Sequence, residues 1–151
     1  SVYAVWSPRF DYNSIFIGGG QTRSEATVPF IQSMYSELEK VRTEPITETE
    51  LAFAKDSVLN SFVFNFQTPN QTLSRLIRYE YYGYPSDFVF QFRDQVESAT
   101  TAQILKAAQT LLDPSKLITL VVGNMEGISP DLSSLGKSPT PIDVTIPAPA
   151  A

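Results

Sequence analysis

Four tyrosines and two arginines crowd one stretch, Ser-Arg-Leu-Ile-Arg-Tyr-Glu-Tyr-Tyr-Gly-Tyr-Pro-Ser-Asp-Phe, from Ser74 to Phe88. Each phenol carries an apolar ring and a hydroxyl that can donate or accept, so the stretch can serve as a recognition surface or as packing between helices. Packing is the favoured reading, because tyrosines at helix junctions usually bury their rings. Two close carboxylate pairs, Glu37/Glu39 and Glu48/Glu50, offer general acid and base chemistry in principle. Their neighbours mark them as solvent-facing helix positions and helix caps. Arg75 and Arg78 are expected to pair with Glu80 at the surface, with little energetic effect. The Gly18-Gly19-Gly20 run has neither the spacing of a dinucleotide loop nor the Lys-Ser/Thr of a P-loop. A bulge, or a close approach of backbone under a helix, is the expected reason for it.

Two residue types are missing. The 151 residues contain no His and no Cys. The commonest general base, the commonest metal ligand and any thiolate nucleophile are therefore absent. Neither a Ser-His-Asp triad nor a histidine zinc site can be built from this chain, and it has no disulfide framework. Eleven basic against sixteen acidic residues leave a net charge of −5, with no basic stripe. Nucleic acid and anionic membrane are thus poor partners. No apolar run reaches the roughly 20 residues that span a bilayer, so no membrane span is expected.

The elements that must position these residues follow from periodicity. Ser1 to Ser7 and Ser14 to Gly20 are rich in β-formers and read as an antiparallel hairpin across a Pro/Asp/Asn turn. Ser24 or Thr27 caps a helix with Pro29 in its first turn and Ile31, Met34, Leu38 and Val41 on one face. Thr47 and Glu50 form a capping box, followed by Leu51, Ala54, Val58 and Phe62 and an aromatic end at Phe62, Phe64 and Phe66. Leu73, Leu76, Ile77 and Tyr81 lie at helical spacing up to Gly83, which supplies a left-handed stop. Pro85 forbids continuation, and Ser86 is placed to cap the next helix, with Phe88, Val89, Phe92 and Val96 inward. Thr100 and Gln103 form a second capping box ahead of Ile104, Ala107, Ala108 and Leu111. Leu117 to Val122 is a near-continuous apolar β run that suits a central strand buried on both faces.

From Ile128 the chain is rich in Ser, Pro and Gly. Pro130, Pro139, Pro141, Pro147 and Pro149 point to an extended tail, with Ile142, Val144 and Ile146 as an irregular strand. The expected organisation is one α+β domain over 1–127 and a Pro/Ser-rich tail over 128–151. Its order is β-β-α-α-α-α-α-β, an antiparallel sheet with helices on one face. Three strands are few for five helices, and the chain opens directly in a strand, so further strands are expected upstream of Ser1.

The order of these motifs resembles the second half of the C-terminal, non-catalytic domain of pitrilysin/insulinase-type zinc metallopeptidases. It is nearest to bacterial members related to the mitochondrial processing peptidase. Ser1-Val2-Tyr3-Ala4-Val5 is similar to that family's strand after Gly-Leu-Ala-Tyr, and Gly18 to Thr22 to the strand end before its first long helix. Thr49 to Lys55 resembles the Glu-Glu-Leu-x-x-Ala-Lys helix start. Tyr79 to Pro85 resembles the corner of the bacterial members. Val96 to Thr100 with Ala107-Ala108, and Leu120 to Asn124, resemble the last helix and closing strand. The resemblance covers roughly Ser1 to Ile146 and implies a partial metallopeptidase-like domain. In that family two similar domains close around an unfolded peptide. Zinc is held by His-x-x-Glu-His and a distal Glu of the catalytic domain, with the motif's Glu as general base.

Nothing here can match the zinc motif, so this chain has no catalytic residue, no metal ligand and no cofactor of its own. The resemblance implies zinc in a partner domain or subunit. An Arg and a Tyr that contact peptide in the family fall, by the pattern, before Ser1. Tyr3, Tyr79, Tyr81 and Tyr82 remain as candidate interdomain or peptide contacts. The implied partners are a catalytic domain or subunit and an unfolded peptide, and analogy with bacterial relatives implies an extracytoplasmic, periplasmic location. Two alternatives stand beside this reading: a catalytically dead assembly subunit of the same family, and an independent small-ligand-binding domain using the tyrosine corner.

Overall fold

Two six-residue strands, β1 (Val2–Ser7) and β2 (Ile15–Gly20), pair antiparallel in the computed structural model, which describes residues 1–145. The register sets Val2 opposite Gly20, Tyr3 opposite Gly19 and Trp6 opposite Phe16. Successive side chains alternate across the sheet, so Val2, Ala4, Trp6, Phe16, Gly18 and Gly20 share one face. Tyr3, Val5, Ile15, Ile17 and Gly19 share the other.

Helix α1 (Thr27–Thr43) lies under the first face. The glycine run exists for this approach. A Cβ built on Gly20 would stand 2.6 Å from Cζ of Phe30, and one on Gly18 would stand 3.1 Å from Cε of Met34. The ladder is regular through all three glycines, so there is no bulge and no phosphate cradle. Thr27 does not cap α1; it is the first helical residue, and Ser24–Ala26 forms a short 3-10 turn ahead of it.

Three further helices start with a threonine cap and a reciprocal Glu or Gln. They are α2 (Glu48–Phe62, Thr47 with Glu50), α3 (Pro69–Tyr81, Thr68 with Gln71) and α5 (Thr101–Leu111, Thr100 with Gln103). The Thr68–Gln71 box carries the same Ser/Thr-x-x-Gln signature as the others but is hidden by Pro69, which occupies the first helical position. Helix α4 (Phe88–Ser98) starts at Asp87 without a side-chain cap, so Ser86 does not play that role. A 3-10 turn, Val63–Phe66, continues α2 to the start of α3.

The expected third strand is absent. Residues 117–122 form no strand and join no ladder, so among the described residues the sheet has two strands and the order is β-β-α-α-α-α-α. The segment still alternates. Leu117 and Val121 are half-buried, and the Thr119 hydroxyl lies 2.9 Å from the Tyr35 hydroxyl on α1. Ile118, Leu120 and Val122 point away and are 94%, 71% and 91% exposed. A run buried on both faces requires a neighbour on each side, and only α1 supplies one.

The buried apolar cluster is Val28 and Ile31 of α1 with Ile128 and Leu132, and Tyr35, Val121 and Leu135 pack around it. Ile128 and Leu132 lie past the expected boundary at 127/128. Proline content predicted an extended tail there, but Asp131 caps a 3-10 turn, Leu132–Leu135, that folds back onto α1. Ile142 and Val144 are exposed and join no strand, while Ile146, Pro147 and Pro149 lie outside the described residues. The architecture is a small α+β fold with helices on one face of an antiparallel hairpin.

Candidate functional site

The tyrosine corner forms where α3 stops. Gly83 takes φ +68°, a left-handed conformation that costs a residue without a Cβ little. The Tyr84 amide donates to the Tyr79 carbonyl (2.9 Å) and the Gly83 amide to the Glu80 carbonyl (3.1 Å). This paired arrangement is the Schellman closure, and the ring of Tyr84 meets that of Tyr79 across it, 5.5 Å between centroids. Phe88, in the first turn of α4, joins both rings at 5.1 and 4.4 Å. Tyr79 is therefore packed between two helices, half-buried.

Tyr82 faces a different partner. Phe10, in the loop joining β1 to β2, stacks on Tyr82 at 4.6 Å and touches Tyr84 at 5.6 Å. The hairpin loop thus docks on the corner. The Asp11 carboxylate beside Tyr82 holds the phenol above its ordinary range, because a phenolate there would face a like charge. Tyr81 touches Tyr82 at 5.0 Å but is 80% exposed. It lies with Leu76, Ile77 and Pro85 along an open groove of about 570 Å³.

Tyr3 is not part of this group. It sits on the sheet face turned from α1, 53% exposed, with its ring laid across Gly19. That contact shields backbone a glycine would leave bare, as aromatic residues do opposite strand glycines. The structure therefore brings Tyr79, Tyr81 and Tyr82 together and leaves Tyr3 elsewhere. Sequence reasoning placed Phe88 inward on the next helix but did not join it to the corner, and it missed Phe10. The signal for Phe10 was an aromatic residue in the hairpin turn, whose spacing is not periodic.

The corner is anchored to the end of α2 through Arg75. Its Nη2 donates to Oδ1 of Asn65 (2.6 Å), and its guanidinium lies over the Phe66 ring at 5.5 Å. Among the described residues neither Arg75 nor Arg78 makes a salt bridge with Glu80. Phe62 stacks on Phe92 at 5.1 Å and meets Phe66 edge-on, whereas Phe64 turns out to solvent.

The paired carboxylates serve structure. Glu50 accepts from the Thr47 amide (2.8 Å) and is held below the usual carboxylate range by that bond first and by the Thr47 hydroxyl second. Glu48 accepts from the Thr101 hydroxyl (3.3 Å), and Glu39 pairs with Arg42 (2.9 Å). Among the described residues no three His, Cys, Asp or Glu side chains converge to hold a metal ion. Among the described residues no helix is long and apolar enough to cross a membrane.

No protein-family model matches the sequence, and no curated protein matches it.

The larger property of the molecule is its surface. A compact chain of 16.8 kDa exposes about 7,700 Å². This one exposes 12054 Å². Setting aside what six fully solvated residues can expose, roughly 700 Å², the excess stays above about 3,500 Å². Exposed apolar side chains lie on the far sheet face (Tyr3, Val5, Ile15, Ile17), on the outer side of 117–122, and along the Leu73, Leu76, Ile77 and Tyr81 stripe of α3.

Proposed function

We propose that this chain is the non-catalytic, substrate-enclosing portion of a zinc-dependent peptidase that acts on unfolded peptides. The catalytic domain or a partner subunit would supply the metal and the general base. The observation that carries the scaffold half of this reading is the surface excess of more than about 3,500 Å². A compact isolated domain of this mass leaves far less surface in water, and a stable interface needs only about 1,600 Å² in total. The peptidase half rests on the ordered resemblance of its motifs and on the lack of His. With no imidazole and no converging carboxylates, the part this chain can play is to shape a cleft and hold a partner.

The test pairs the purified chain with the zinc-binding protein or domain encoded with it. A stable one-to-one complex that cleaves an unfolded peptide, where the chain alone with zinc does not, supports the reading. Tight stoichiometric zinc uptake with cleavage by the isolated chain overturns it. A complex that forms but takes up no zinc and cleaves nothing selects the second reading, a catalytically dead assembly subunit. That reading has the same observation in its favour, since apolar area serves assembly as well as catalysis.

A further inference from the structure

We infer that the hairpin loop 8–14 is a latch: it opens and closes as a unit on the tyrosine corner, held by Phe10, while the hairpin and the corner each stay folded. The motion belongs to this chain alone and requires no partner subunit.

The loop is longer than its strands require. The ladder ends at Ser7 opposite Ile15, so seven residues cross where about two to five suffice, and the added length reaches the corner. The Arg9 amide donates to the Ser14 hydroxyl (3.2 Å), which ties the two ends of the loop to each other. Among the described residues no main-chain hydrogen bond joins the loop to α3 or α4. Every residue from Pro8 to Ser14 is exposed, and Phe10 is 58% exposed even while stacked. What holds the loop down is one ring laid on Tyr82 and Tyr84, with the Asp11 carboxylate beside the Tyr82 phenol. Contacts this few and this exposed mark the segments of a protein that open at low cost.

Both sides keep their shape without that contact. The corner is closed by its own bonds, from the Gly83 and Tyr84 amides to carbonyls of α3, and by the rings of Tyr79, Tyr84 and Phe88 on one another. The hairpin is held by its ladder and by the close approach of Gly18 and Gly20 to α1. Phe10 thus joins two pieces that are each fixed by other means, so the joint can have two states while the pieces have one. Tyr84 also lines the open groove with Leu76, Ile77 and Tyr81. Opening the latch bares the covered faces of Tyr82 and Tyr84 next to that groove, and closing it hides them.

The experiment is amide relaxation dispersion by NMR on the full chain, which reads exchange on the microsecond to millisecond scale of local opening. Amides of 9–13 and of Tyr82, Gly83 and Tyr84 are expected to share one exchange rate, with an open state of roughly 1–10%. Phe10→Ala is expected to abolish that exchange and to move the same amides to the shifts of the open state, while α1 and the ladder keep theirs. Phe10→Tyr keeps the ring and is expected to keep the exchange, with the open population within about threefold. Tyr82→Ala removes the ring from the other side and is expected to give 9–13 the same open-state shifts as Phe10→Ala. Flat profiles in the unmodified chain, or different rates for loop and corner, overturn the inference. So does exchange at 82–84 that persists in Phe10→Ala. Shifts in Phe10→Ala that spread into α1 overturn it as well, because the loop would then be fixed packing within one cooperative unit.

Discussion

Helix α1 and helix α3 are both amphipathic, yet they meet opposite fates. Val28 of α1 is completely buried and Ile31 nearly so, under Ile128 and Leu132. No residue of α3 is buried, and its stripe of Leu73, Ile77 and Tyr81 faces water. Each sequence shows apolar residues at helical spacing, so the pattern says that a face exists and not that it is covered. What separates the two is the chain brought against them. α1 collects a sheet, the 117–122 segment and a folded-back turn. α3 is held near its middle by Arg75, bonded to Asn65, and at its C-terminal end by the aromatic corner. Packing in one region and capping with ring contacts in the other should respond differently to substitution.

The largest contrast should come from truncation. Ile31→Ala removes buried methylenes from the α1 cluster and should cost about 3 kcal/mol, while Ile77→Ala on α3 should cost less than about 0.5 kcal/mol. Urea unfolding of both variants tests this, and equal losses would show that α3 is covered in solution. Next in size is Gly83→Ala. Nothing lies near the Cβ it would add, so the cost of about 1–2 kcal/mol is the left-handed backbone alone, and Gly83→Asn should restore part of it. Thr68→Ala removes the cap of α3 and should cost about 1 kcal/mol. A larger loss would mean that the start of α3 carries tertiary packing as well.

The two regions should also part at opposite ends of the pH scale. Glu50 and Asp131 have carboxyls held low by bonds from Thr47 and Ser133, in the capping of α2 and of the turn that covers α1. A depressed native pKa contributes stability above the unfolded value, and this is lost as pH falls through the native one. Stability should therefore hold from pH 7 to about 5 and fall below about pH 4. Tyr82 is held high by Asp11, so its contribution is present below about pH 10 and is lost as pH rises beyond it. Denaturation across pH checks both limbs. In Asp11→Asn, ultraviolet titration should show one phenol moving back toward its ordinary range. An unmoved titration would remove the loop from the corner.

Much of the local structure was legible because its causes lie within four residues. Thr47 with Glu50, Thr100 with Gln103, and Gly83 before Pro85 each close a hydrogen bond or a turn with near neighbours, and each was placed correctly. Of the candidate site, the corner of Tyr79, Tyr81 and Tyr82 followed from the same short spacing. Phe10 reaches it across some seventy residues, and no local signal announces such a partner. The proline-rich composition after Ile128 concealed Leu132, because proline restricts the backbone without forbidding burial of the residue beside it.

The capping boxes of α2 and α5, the stop of α3, the hairpin and the lack of imidazole and thiol were therefore settled by residue order and composition, since they depend on near neighbours or on residue types alone. Tertiary structure alone decided which apolar faces are covered. It buried Ile31, left Ile77 and Leu120 in water, and left 117–122 without a ladder. Burial and strand pairing both need a second surface, and a second surface is a property of the assembled chain.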